Sequence, residues 1–212
     1  MPASFPTDRF AGGPFTLARY ISVNQTLGGQ LDAVELADPR WTCSWTTARL
    51  SPALARRWVA WWDGLRGGVG RTFHGYDPQR PTPAAYPAGF VGLERPAGGA
   101  FDGTASVTSL ATPFAMSLGA LPAGFALAAG DMVGLAEGDR RAVFRIMADA
   151  VADGAGAATL AVEPHVPSGF TADALANFLR PVAIMTPVAG SFAYQPGPGW
   201  RPVSFGGIEV VP

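Results

Sequence analysis

The sequence predicts a mainly β protein, with sandwich- or barrel-type subdomains, one amphipathic helix and long proline-rich loops. Three observations carry this expectation. The 212 residues include 27 Gly and 20 Pro, a turn-rich composition. The 48% hydrophobic and 11% aromatic content argues against a disordered chain and for a packed core. Short alternating apolar runs recur between turn residues, and only one segment has helical periodicity.

Phe15–Val23 and Trp41–Leu50 alternate apolar, β-branched and polar residues, so both are expected strands, with Leu27-Gly-Gly-Gln30 as a turn between them. The helix is expected over 51–66. Ser51 is a good N-cap, Pro52 suits the first helical position, and Gly67 can take the left-handed C-terminal conformation. Leu54, Trp58, Trp61 and Leu65 form its apolar stripe, while Arg56 and Arg57 fall mostly off it. The Trp58/Trp61/Trp62 cluster therefore reads as an anchor to a sheet, with Trp62 left over. Arg71–Tyr76 suits a further strand. Asp77–Pro87 is too proline-rich for regular structure and is expected as an extended arm or long loop.

Past about residue 95 aromatic density falls. Ala105–Leu110, Met132–Ala136, Ala142–Ala148, Ala157–Val162 and Phe178–Met185 each suit a strand, separated by Gly-containing turns such as Asp153-Gly-Ala-Gly156. Gln195–Pro202 is loop-like, and Ile208–Val211 is a short final strand. Charge divides with the texture: residues 1–95 hold ten Arg against seven acids, and 96–212 hold five against nine. Two subdomains are expected, 1–95 with the helix and the 77–87 arm, and 96–212 as a small β-barrel.

The formal charge of −1, with no Lys, supplies no single-sign field for nucleic acid or anionic lipid. No nucleic-acid-specific binding is expected. The uncharged stretches Gly103–Gly130 and Pro181–Trp200 are broken by Pro and Gly, so no membrane insertion is expected either. Met1–Asp8 has no basic region leading to an apolar core, so a soluble product without a secretory signal is expected.

Catalytic chemistry finds little support. Gly64–Gly70 is glycine-rich but follows a helix, where a phosphate cradle needs a strand-to-helix turn. Cys43 lies in the strand-like run from Arg40 to Trp45 and reads as a buried, inert thiol. His74 with Asp77 has the composition of an acid–base unit, but no nucleophile accompanies it, and a locally bonded strand-end His is the better reading. His165 beside Glu163 reads as a turn residue. Asp131, Asp149 and Asp153 lack the spacing of a calcium loop. The expected site inventory is therefore catalytic none, cofactor-binding none and metal none, and the chain is read as no enzyme.

The more specific signal is a pattern. It comprises Leu121-Pro-Ala-Gly-Phe-Ala-Leu-Ala-Ala-Gly-Asp131, Arg140-Arg-Ala-Val-Phe-Arg-Ile146, Ala152-Asp-Gly-Ala-Gly-Ala-Ala-Thr-Leu-Ala-Val-Glu-Pro164 and Arg180-Pro-Val-Ala-Ile-Met185. Upstream stand a Trp-rich strand, a helix ending in Leu65-Arg-Gly67, an aromatic strand and a Pro-rich arm. Together, over about 40–186, these resemble the distal tail and minor tail-tip proteins of long-tailed (siphovirus-like) bacteriophages and prophages. The resemblance implies a structural virion protein of the tail tip, made in the host bacterial cytoplasm. Its partners would be itself, as a homohexameric ring, the tail tube protein, and the hub or tail fibre proteins. It brings no catalytic residues to carry over.

A head-to-tail ring needs two different faces per subunit. The uneven charge would supply complementary faces, unless the neighbouring subdomains neutralise each other within one chain, and the Pro-rich arm is long enough to lie across a neighbour. Other readings stay open: a tube, terminator or hub subunit, or a carbohydrate-binding β-module stacking sugar on Trp41, Trp45, Trp62 or Trp200.

Overall fold

The computed structural model describes residues 5–6, 10–25, 27–197 and 199–210. The chain is mainly β, with one α-helix and a closed barrel, as its alternation and turn density predict. The first strands are β1 (Phe10–Gly12), β2 (Phe15–Gln25) and β3 (Leu31–Thr47). Helix α1 (Pro52–Gly64) follows, then β4 (Phe73–Gly75). The barrel uses β5 (Thr104–Thr112), β6 (Ala115–Gly119), β8 (Met132–Glu137), β9 (Arg140–Ile146), β11 (Ala158–Glu163) and β12 (Leu175–Asn177). Between them, β7 (Ala126–Leu127) pairs with β10 (Ala150–Val151). The chain ends in β13 (Ala183–Pro187), β14 (Ala193–Tyr194) and β15 (Val203–Glu209).

The strand pairing divides the chain differently from the expected 1–95 and 96–212 halves. Strands β13 and β15 leave the barrel and complete the N-terminal sheet, whose order is β1-β3-β15-β13-β4, with β2 on β3 and β14 on β15. The barrel, ordered β11-β6-β5-β12-β8-β9 and closed by Val162 opposite Ile146, is thus inserted into the sheet subdomain. Composition marks the entry near residue 95. The return has no such mark, because a two-stranded pairing between distant segments leaves no local trace.

The expected Phe178–Met185 strand is split for a related reason. Arg180 has φ 49° and precedes Pro181, so the chain turns there from barrel to sheet. Asn177 closes the turn by accepting the Leu179 N–H and donating to the Leu179 carbonyl.

Ser51 caps α1, its hydroxyl accepting the Leu54 N–H at 3.5 Å, and Gly67 sits at φ 63° just past the helix end. The apolar stripe of α1 lies on the sheet. Trp58 packs 5.4 Å from the Phe205 ring, and Trp61 and Trp62 follow at 5.4 and 5.8 Å. With Trp45 and Phe73 they form an aromatic core, each ring contributing roughly 150–250 Å² of buried area. Gly13 is required here: at φ 152° any Cβ would strike the Ser44 carbonyl and the Trp45 backbone.

A second core fills the barrel around Phe125, Phe144 and Phe178. The two cores meet along β8 and β9, whose Met132 and Val143 belong to the sheet-side cluster. There the Trp41 indole N–H donates to the Val143 carbonyl at 2.7 Å.

The Pro-rich 77–87 segment has no regular structure, but it is not a free arm. Ala84 N–H donates to Asp131 Oδ1, Arg180 N–H to the Pro81 carbonyl, and Ala126 N–H to the Tyr86 hydroxyl. The Tyr86 ring stacks on Phe125 at 4.6 Å and 2°. The segment is docked there by the Tyr86 ring and hydroxyl, the Ala84 amide and the Pro81 carbonyl. The expected extended arm is thus packed along the chain's own barrel.

Candidate self-association surface

The feature that stands apart from both cores is the β2–β3 hairpin. Its register runs from Phe15 opposite Cys43 to Gln25 opposite Leu31, with irregularities on either side of Tyr20. Near this irregular stretch the hairpin is tied to the barrel. Arg19 bridges Glu163 at 2.7 Å, and its other nitrogen lies 3.6 Å from Glu35. Asp38 lies 4.0 Å from His165.

Beyond this base β3 pairs with β2 alone, since β15 engages only Thr42–Thr46 and β1 only Thr46 and Thr47. About six residues of β2, at roughly 3.3 Å each, project about 20 Å as a two-stranded ribbon. Alternation places Ile21, Val23, Leu31 and Ala33 on one face and Val34 and Leu36 on the other. Leu31 is 68% exposed and Leu36 70%. A two-stranded ribbon with neither face covered is marginal in water, and its open edges invite pairing with another chain.

The residues singled out for chemistry are placed elsewhere and apart. Cys43 is buried, and burial pushes its thiol far above the ordinary range. His74 lies in β4, half-buried, its proton affinity lowered by burial and then by Arg141. Asp77 does not serve it: its oxygens take Arg80 Nε at 2.6 Å and Gln79 N–H at 2.9 Å. His165 packs edge-on to Phe114, and Glu163 is held by Arg19.

In the Gly64–Gly70 stretch the Gly68 and Val69 amides donate to the Leu65 and Arg66 carbonyls, a helix stop of the kind the spacing suggests. Asp131 and Asp153 accept backbone N–H groups of their own turns, and Asp149 accepts the N–H of Ala129. Among the described residues no group of three or more His, Cys, Asp or Glu side chains could hold a metal ion. No helix among them is long and apolar enough to cross a membrane.

The four tryptophans considered for sugar stacking do not make a platform. Trp41 and Trp45 are buried, Trp62 stacks on Phe192 at 5.2 Å, and Trp200 is exposed.

Two features escape a reading of the sequence. One is the outer half of the hairpin, where Asp32, Asp38 and Pro39 interrupt a β-rich composition, although Leu31, Ala33 and Glu35 already alternate with Val34 and Leu36. The other is Glu209, buried and lining a narrow cleft together with Asp38, Val143, Phe144 and His165. No protein-family model matches the chain, and no curated protein matches it.

Proposed function

We infer that the chain is a structural subunit of a phage tail tip, a distal tail protein that self-associates into a ring joining the tail tube to hub or fibre proteins. The observation that carries the reading is the β2–β3 hairpin, whose outer half exposes apolar side chains on both faces. Such a ribbon has a physical reason to exist when another chain covers it. The sequence resemblance adds the ring, its homohexameric order and its place in the virion. An inserted barrel presented beside the sheet gives each subunit two distinct bodies, one for the ring and one for a neighbouring tail component.

Native mass by light scattering, with negative-stain images of the same fraction, tests this. The expected result is a closed particle of about six subunits with a central hole. A chain that stays monomeric both alone and with its tail tube protein overturns the ring. If tryptophan fluorescence of that monomer shifts with added glycans, a sugar-binding module takes its place.

A further inference from the structure

The projecting hairpin and the surface around α1 are opposite in charge. From residue 20 to 38 the chain carries Asp32, Glu35 and Asp38 and no Arg. From residue 49 to 71 it carries Arg49, Arg56, Arg57, Arg66 and Arg71 against one acid, Asp63. All five arginines are exposed, and none has an ion-pair partner among the described residues. On α1 the exposed positions 53, 56, 57, 60, 63 and 64 form one stripe, opposite the tryptophans seated on the sheet. Val69, 80% exposed, lies between Arg66 and Arg71 as an apolar complement. Asp32, opposite Asn24 near the ribbon's tip, also has no ion-pair partner among the described residues.

From this complementarity we propose that the hairpin of one copy docks on the Arg-rich α1 surface of a second copy, head to tail. The contact rests on the self-association reading above and names the two faces that meet. A heterologous contact requires two different, mutually complementary patches on every subunit, and these two differ in both shape and charge. The apolar residues of the ribbon provide buried area. The charges select the register and exclude hairpin-to-hairpin and helix-to-helix pairing, where like charges would oppose each other.

Charge reversal on each side tests it. The D32R and R56E/R57E variants change exposed side chains that have no ion-pair partner among the described residues, so both should melt like the parent. Each alone should self-associate at least about tenfold more weakly at low salt, and the deficit should shrink toward about 1 M salt, where screening reaches about 3 Å. Mixing the two variants equimolar should restore the particle, because each reversed face then finds its opposite on the other chain. Both reversals in one chain should restore self-association as well.

If the parent forms a ring and both variants form it equally well, this contact is wrong and the ring stands. The contact is equally wrong if the two variants lose assembly and the mixture does not regain it. If the parent is monomeric under every salt condition, both alone and with its tail tube protein, the self-association reading itself fails. If R56E/R57E keeps its native mass but loses retention of a duplex DNA oligonucleotide, the arginine surface binds nucleic acid and the proposal is overturned.

Discussion

Glu209 accepts the backbone N–H of Trp41 through Oε2 at 3.0 Å, inside the seam where the sheet meets the barrel. Burial pushes its carboxyl up from 4.5 to about 7, with the Trp41 N–H and Arg40 acting in the opposite sense. Asp38 and His165 line the same narrow cleft. The folded chain therefore holds a proton that the unfolded chain releases between about pH 4.5 and 7. Stability from this group is present below pH 4.5, declines as pH rises through that window, and is lost above about 7. The swing is on the order of 3 kcal/mol. Glu209→Gln keeps an acceptor for the Trp41 amide and removes the ionisation. Melting temperature followed from about pH 5 to 8 should slope downward more steeply in the parent than in the variant, and parallel curves would refute the assignment.

Phe205 is the ring on which the helix is seated, within 5.4 Å of both Trp58 and Trp61 and 5.7 Å of Trp45. Phe205→Ala should cost about 3–5 kcal/mol in denaturant unfolding, since the surrounding rings can close the cavity only partly. Phe205→Leu should cost clearly less. A loss below about 1 kcal/mol for the alanine variant would mean the aromatic cluster is not the sheet's core.

Tyr86 holds the proline-rich segment to the barrel by a stacked ring and by a hydroxyl that accepts the Ala126 amide at 2.9 Å. Tyr86→Phe should cost about 1 kcal/mol, the loss expected for one unpaired amide, and Tyr86→Ala several times that. Deleting 78–87 should lower the melting temperature of the isolated chain, because it uncovers Phe125 and removes the Ala84 amide from Asp131 Oδ1. An unaffected melt would return the segment to the status of a free arm.

Cys43 faces the sheet core beside Gly207, and its thiol is held protonated by burial. Iodoacetamide at about pH 8 should leave it unmodified in the native chain and alkylate it fully in urea, since only the thiolate reacts. Mass spectrometry of the two samples decides. Rapid native labelling would place the residue at the surface.

Local rules were enough for the elements whose causes are local. The Ser51 cap, the Pro52 start, the four-residue spacing of Leu54 and Trp58, and Gly67 define α1 within two residues of its observed ends. Strands such as β8 and β11 were equally legible from alternation between turn residues.

What the tertiary structure alone decided is where distant segments meet. The pairing of β15 with β3 joins residues about 160 apart, and no periodicity encodes a partner at that distance. For the same reason the sequence could not say that Asp77–Pro87 lies on its own barrel, or that Glu209 is buried against Trp41. Nor could it say that Leu31 and Leu36 project on a ribbon with both faces open. Alternation shows that a strand has two faces, but whether anything covers them depends on the neighbours that the completed fold supplies, and at this hairpin the fold supplies none.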